Sequence, residues 1–488
     1  MKRGFLVVQI LVFTSISSII LGALAFWGVT SFNASRRAVL REQAFHIAEA
    51  GLDYYRWHLA HDSDDYTDGT AGEGPYVHYY NDKDGNQIGY FELSITPPPF
   101  GGTTVIIKSK GVVSVDTSVS RTLESSMAIA SYSRYALLSG NAILYVGENV
   151  DVTGPVHGNN GVRFNGIARN VVSSSVDLYD DTTYSPKHDD MLGVHTDITT
   201  ADPSGPVVDI PPHGDVFLAG RQFPPFYNIS AISFDGLTAT LTDIKDASLL
   251  PDGFHLDKAS GNSSGYHIVL KDDGTFDLYD VGKVHSDPHC LSYAVYQPGW
   301  EMGSIKDETF ISNNPYPANG IIFVEDNLWL DGIIDGERLT IAAGSFFDNG
   351  NGNPQARNIT INHNLTYTNH DGTDVLGIIA QNNISVGLKS DDNLRIDGAL
   401  IAKGGMIGRY YFMPPAGRYT CAPYHSPNSL YLYGMQASYG TGGFSYGDGT
   451  GYQNRTIVYD SHLYYNPPPM FPLASSQHSI LKWREIKD

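Results

Sequence analysis

The chain has 488 residues, with 31 Lys plus Arg against 52 Asp plus Glu, a net charge of −21 and 41% hydrophobic residues. That length suffices for two or three domains with sizeable cores, and the apolar content excludes disorder on a domain scale. An acidic surface argues against nucleic acid or anionic headgroups as partners, and 51 Gly with 31 Tyr in a turn-rich texture is that of an exported β-protein.

The first element is a helix. No charged residue occurs between Phe5 and Phe32, a run that spans ~42 Å as a helix and exceeds the ~30 Å hydrocarbon core of a bilayer. The helix continues into an amphipathic part, in which Ala44, Ala48, Gly51, Leu52, Tyr55 and Leu59 recur on one stripe. The positive-inside rule does not set its orientation, because Arg36, Arg37 and Arg41 flank one end while Lys2 and Arg3 precede the other. A secretory signal peptide with an A-x-A site at Ala23-Leu24-Ala25 is the competing reading. Against it, Phe26, Trp27, Val29 and Phe32 carry the apolar pattern past that site, and an amphipathic helix follows at once.

This layout resembles the N-terminus of type IV pilins and pseudopilins, and Gln43-Ala44-Phe45 with Ala48-Glu49-Ala50-Gly51-Leu52 resembles the signature of PilX-type minor pilins. The resemblance implies a leader over residues 1–4 cut by a prepilin peptidase between Gly4 and Phe5, and a single-pass helix over 5–61 that packs with other pilin or pseudopilin subunits. It implies a membrane-anchored protein with its bulk outside the cell, reaching the cell surface or a pilus tip after assembly. The fifth residue after the cut is usually Glu in that family, where it pairs with a neighbour's N-terminal amine; here it is Gln9, which hydrogen-bonds without neutralising the amine.

Residues 62–74 read as a solvated linker: their acidic spacing hints at a calcium loop, but the regular ligand pattern of one is missing. Residues 76–131 read as a small pilin-like antiparallel sheet, opening with a hairpin about Asp82 to Asn86. Beyond Tyr135, strands of three to five residues alternate with Asn-Gly and Asp-Gly corners, as expected of a β-solenoid over 135–190 and 318–436. Residues 191–317 read as an insertion, Pro-rich at first, then a short helix near 243–250 and a hairpin about Asp272 to Gly274. Residues 437–488 read as a cap that hides the solenoid's last rung. The predicted fold class is therefore mostly β with one long N-terminal α-helix: a pilin-like helix plus small antiparallel sheet, then a parallel β-helix or solenoid-like domain with an insertion.

Signals of chemistry are weak. Gly443-Phe444-Ser445-Tyr446-Gly447 fits G-x-S-x-G but lacks a following helix. Asp391, Asp392 and Asp397 stand where corners need Asp, with no Arg or Lys base assigned beside them. His285, His289 and Cys290 have metal-ligand spacing without an evident fourth ligand. The expectation is no catalytic residue, no cofactor and no metal. Cys290 and Cys421 are candidates for a disulfide outside the membrane, or else two unrelated buried thiols, because spacing does not show proximity. The functional expectation is a minor pilin-like protein of a type IV pilus or related secretion filament, at its tip, acting in assembly or adhesion, with a surface or glycan as candidate ligand. A secreted or anchored β-solenoid enzyme acting on polysaccharide is the alternative, to be separated by whether acidic and basic side chains converge in a groove.

Overall fold

The structure is a computed structural model that describes residues 3–98, 102–148, 150–182, 187–234, 237–285, 290, 303–346, 355–416, 420–440 and 442–487. Met1, Lys2 and His289 lie outside the described residues. The chain is mostly β with one long N-terminal helix, and it divides into two compact units, residues 1–98, 104–128 and 476–488 forming one and residues 99–103 and 129–475 the other.

In the first unit α1 runs without a break over Arg3–His61. Its second half lies on a five-stranded sheet built from β1 (Tyr76–Asn81), β2 (Gln87–Thr96), β3 (Thr104–Val113), β4 (Asp116–Ser131) and, at the far edge, the C-terminal strand Leu473–Ile486. The first four strands pair antiparallel in sequence order. Alternation dictates their faces: Phe91 and Leu93 of β2, Val105 and Ile107 of β3, and Leu123 and Met127 of β4 point at the helix and are buried with Ala44, Ile47, Ala48, Leu52, Tyr55 and Leu59. Helix and sheet approach so closely because glycine faces glycine-sized gaps. A Cβ on Gly111 would stand 2.1 Å from the Ala44 carbonyl oxygen and 2.5 Å from the Ala48 amide nitrogen.

The C-terminal strand is part of the stretch expected as a cap; instead of covering a rung it completes this sheet. Arg121 on β4 makes a bidentate pair with Glu485 (2.6 Å on both arms), and Glu124 takes Arg484 at 2.7 Å. Phe45 of α1 sits between the Arg121 guanidinium at 4.8 Å and the Trp483 ring at 5.9 Å. The acidic loop after α1, expected as a solvated linker, is fastened to the helix end. Tyr55 donates its hydroxyl to the Asp65 carbonyl at 2.8 Å, and the Asp65 carboxylate meets His58 Nε2 at 2.9 Å and accepts the Thr67 and Gly69 amides. Those amides, Thr67 first, hold the Asp65 carboxyl down at about 2.

In the second unit short parallel strands stack rung on rung. One stack runs in the spatial order Phe254–Leu256, Ile321–Val324, Arg338–Ala343, Val375–Ala380, then the second half of Asn393–Ala402, the second half of Ser429–Ser438, Leu137–Ser139, Val156–Gly158, Val172–Ser174 and Arg221–Gln222. The order is not that of the chain. The chain enters in the middle at Leu137, builds rungs outward to Gln222, restarts at the opposite end with Phe254, and works back until Gln436–Ser438 pairs with Leu137–Ser139. Parts of the 191–317 segment therefore act as rungs, and its hairpin, Gly265–Leu270 with Thr275–Val284, adds to Leu328–Ile334 in parallel. Arg221 secures the Pro-rich stretch by donating to both Asp202 oxygens and to the carbonyls of Val194 and Pro211.

The central strands of this stack, such as Ile321–Val324 and Val375–Ala380, are apolar at every position because both of their faces are covered. Ile322, Val324, Ile341, Leu376, Ile378 and Leu400 point into the coil. Ile321, Phe323, Ala342, Val375, Ile379 and Ile401 point outward beneath α2 (Leu237–Ser248), Tyr132, Leu463 and Phe471. Asparagines stack at one corner: Asn327 Oδ1 accepts the Asn358 amide, Asn358 Oδ1 accepts the Asn383 amide, and Asn383 Oδ1 accepts the Met406 amide, each at 2.9 to 3.2 Å. At another corner the long strands bend at Gly398 and Gly434, both at positive φ, with a Cβ on Gly434 falling 1.9 Å from the Gly398 carbonyl oxygen.

Cys290 and Cys421 are joined in a disulfide, closing a span of 131 residues. The same excursion is held by Arg409, fully buried, whose guanidinium donates to the carbonyls of Gly387, Leu388 and Tyr424 and to Ser390 Oγ.

Two outcomes follow from this packing. Gly111→Ala places a methyl against helix backbone that has no room to yield, and is expected to cost about 1–3 kcal/mol; thermal unfolding of the detergent-solubilised chain checks it, with Gly72→Ala as a control expected to change nothing. A non-reducing peptide map of the oxidised protein is expected to join the peptides of Cys290 and Cys421. Replacing both by Ser should lower stability by ~4–5 kcal/mol on a chain-entropy basis, read from denaturant midpoints.

Candidate functional site

Two parts of the molecule are candidates for function. The first is the leading half of α1. Every residue from Phe5 to Val39 is exposed, including Phe5 at 70%, Phe13 at 70% and Trp27 at 69%. From Phe5 to Phe32 the helix is uncharged and covered by none of the described residues, with the composition and length of a membrane span. Three of its hydroxyls bond back within the helix: Thr14 donates to the Ile10 carbonyl at 2.9 Å, Ser15 to Leu11 at 2.8 Å and Thr30 to Phe26 at 2.8 Å. Such back-bonding removes the cost of carrying a hydroxyl into hydrocarbon. Gly4 and Phe5 lie in the first turns of this helix, and Gln9 is exposed one turn further on.

The uncharged span ends before Arg36, Arg37 and Arg41, which are exposed, and Leu40 is the first buried side chain. From there the stripe named from sequence is buried throughout, at Ala44, Ala48, Gly51, Leu52, Tyr55 and Leu59. Sequence reasoning passed over Leu40 and Ile47, which lie on the same stripe; extending the 3.6-residue period one turn back, and filling its i+3 position, finds both.

The second part is a polar groove on the solenoid-like unit. Outward positions on neighbouring rungs align: His267 lies opposite Trp329, Trp329 opposite Thr360, and Thr360 opposite Ser385. A cavity of about 370 Å³ is lined by His267, Glu308, Asp331, Lys306, His363 and Lys389, and a second of about 350 Å³ shares Trp329 and Thr360 with it and adds Asp326, Asn327, Arg357 and Asn358. Gly303 crosses between them, its carbonyl accepting from Trp329 Nε1 at 2.8 Å and Asn362 Nδ2 at 2.7 Å. His267 bridges Glu308 (Nδ1, 2.7 Å) and Asp331 (Nε2, 3.0 Å). Burial works against the imidazolium, but the two carboxylates outweigh it and hold the His267 pKa above its ordinary value.

The other sequence candidates resolve as follows. Asp391 accepts from His363 Nδ1 at 2.8 Å and the Asn364 amide at 3.2 Å, and Asp392 accepts the Asn428 amide at 2.9 Å, which are corner roles. Asp397 departs from the expectation that no base stands beside it: Arg395 donates to it at 2.9 Å and His370 approaches at 3.1 Å. Its carboxylate is wholly buried and also accepts the Tyr367 amide at 3.0 Å, so the group ties rungs together. Ser445 receives a hydrogen bond from Arg455 instead of standing beside a histidine base. Cys290 is spent in the disulfide and His285 faces Lys389 Nζ at 3.4 Å, so the HSDPHC stretch does not assemble a ligand set among the described residues.

No protein-family description matches the chain, and no curated protein does. Among solved structures, the chain is similar to the competence-associated pilin ComZ from Thermus thermophilus at 16% identity, over 92% of this chain and 97% of that one, with a TM-score of 0.30. At that score the likeness carries no weight for fold or function, which rest on the geometry above.

Proposed function

We propose that the chain is a membrane-anchored, PilX-type minor pilin-like subunit of a type IV pilus or related secretion filament, acting in assembly or surface contact without catalysis. The observation that carries this reading is α1: one unbroken helix, uncharged from Phe5 to Phe32 and exposed as far as Val39, then buried along one stripe beneath a small antiparallel sheet. A helix of this kind needs lipid or other apolar helices around its first half. Processing falls to Gly4 and Phe5 by a prepilin peptidase, and Gln9 takes the position at which most subunits carry a carboxylate.

Size supports a place at the filament tip. Packed helices stand ~8–10 Å apart. The more than 350 residues beyond Tyr135 would as a compact body have a radius of gyration of roughly 20 Å. Bodies of that size collide if carried on every helix of a shaft, whereas one copy at the end meets no crowding. Gln9 agrees with this, since a first subunit has no neighbour whose amine must be neutralised. The groove about His267 is the surface of that unit offered to a glycan or other surface ligand.

A polysaccharide-acting enzyme is the second reading, favoured by the meeting of His267, Glu308 and Asp331 in one cavity. Both imidazole nitrogens are taken up by the two carboxylates, which leaves the trio better suited to joining strands than to moving a proton. Glu308→Gln and Asp331→Asn variants assayed on polysaccharides separate the readings, because only an enzyme loses turnover.

The mature protein extracted from membranes is expected by mass spectrometry to begin at Phe5; a chain beginning at Phe26 would overturn the pilin-like reading. Immunogold labelling against the β-rich unit is expected to mark filament ends in low copy, and uniform decoration along the shaft would refute the tip position.

A further inference from the structure

At the end of the main stack, on the strand Phe254–Leu256 that begins its second run, three potential ligands come together. His255 Nε2 stands 3.5 Å from Asp257 Oδ1 and 3.5 Å from Glu325 Oε1, and all three ligand atoms lie within 4.8 Å of one another. We propose that His255, Asp257 and Glu325 form a binding site for a divalent transition-metal ion of the zinc class, with solvent as the fourth ligand.

Distance is the first support. A separation of 3.5 Å is too long for an N–H···O hydrogen bond. Two ligand atoms bound at ~2.0–2.1 Å to a tetrahedral Zn²⁺ stand about 3.4 Å apart, so the spacing suits an ion between them. Protonation is the second. Ser248, at the end of α2, has a single hydroxyl proton and gives it to the Lys245 carbonyl at 2.6 Å; its oxygen therefore accepts from His255 Nδ1 at 3.0 Å. With the proton on Nδ1, Nε2 is the ring nitrogen that faces the two carboxylates and is placed to join them on an ion. An outer partner that fixes the tautomer in this way is the usual setting of a metal-bound histidine. The Phe323 ring, stacked on His255 at 5.9 Å and 3°, fixes its plane.

The buried carboxylate is the third support, and it is independent of the other two. The Glu325 side chain is 1% exposed, and its Oε2 has no hydrogen-bond partner. Its other oxygen, Oε1, pairs with Lys245. A buried carboxylate oxygen without a partner is costly, and an ion that took both Glu325 oxygens, with Lys245 withdrawn from Oε1, would satisfy it. Asp257, 89% exposed, offers the ion a route from solvent, and Lys245 at 23% exposure has room to yield its place on Glu325. The bound ion would pin the first rung of the second run, through His255 and Asp257, to the corner that follows Ile321–Val324, through Glu325.

The test uses the full, untagged chain in detergent, stripped with chelator and titrated with Zn²⁺ against a chromophoric competitor. One equivalent should be lost, its Kd rising ~100-fold or more, in both His255→Gln and Asp257→Asn, while Ser248→Ala weakens it ~10-fold. Lys245→Met should bind as tightly or more tightly. Zinc should also raise the unfolding temperature of the wild-type chain and of Lys245→Met, and this rise should vanish in His255→Gln. The proposal is overturned if the wild-type chain takes up no zinc, which would make Lys245 the cation of the site, or if both ligand variants bind as the wild type does.

Discussion

The parallel pairing of Leu137–Ser139 with Gln436–Ser438 is the contact on which the large unit depends. Each run of rungs, one built outward from Leu137 and the other inward from Phe254, would otherwise end on a row of unpaired amides and carbonyls. Joined there, they make one continuous stack whose core passes from Ile322 and Ile378 through Leu400 to Val156 and Val172. The closing strand comes late in the chain while its partner comes early, so the stack is completed only once the residues between them are in place. Contacts of such sequence separation pay a loop-closure entropy before they return any energy.

The smaller unit repeats this logic. Its sheet opens with strands that follow α1 directly and is finished by Leu473–Ile486 from the other end of the chain. Everything from Ile129 to Ser475 is therefore spliced between the fourth and fifth strands of that sheet. The fifth strand is placed by paired charges, Arg121 with Glu485 and Glu124 with Arg484, and by Trp483 on Phe45. Exposed ion pairs of this kind contribute little energy each. Two pairs of opposite sense, Arg121 to Glu485 and Glu124 to Arg484, nevertheless disfavour a slip, since a shift breaks both.

Buried polar groups in the large unit do work that apolar side chains do not. Asn327, Asn358 and Asn383 cap successive corners, Arg409 satisfies three carbonyls at once, and Arg221 reaches from a rung to the Pro-rich stretch. Each specifies which backbone segment lies where, and each would leave several groups unsatisfied if truncated. Hydrophobic burial supplies the bulk of the stability, while these groups select one register among many similar rungs.

The sequence alone determined the elements whose cause is local. The uncharged run from Phe5 and the stripe from Ala44 to Leu59 follow from helical periodicity, the hairpin about Asp82 to Asn86 from turn chemistry, and the solenoid texture from short apolar strands between glycine and asparagine corners. The docking stripe was legible for the same reason, save Leu40 and Ile47. Tertiary structure alone decided which strand neighbours which. Nothing in the spacing of Leu137 and Gln436 marks them as partners, nor Arg121 and Glu485, nor Cys290 and Cys421, nor His255 and Glu325. Periodicity reports the face on which a side chain lies. The identity of the opposing segment depends on how the whole chain pays for closing its long loops, and that sum has no local signature.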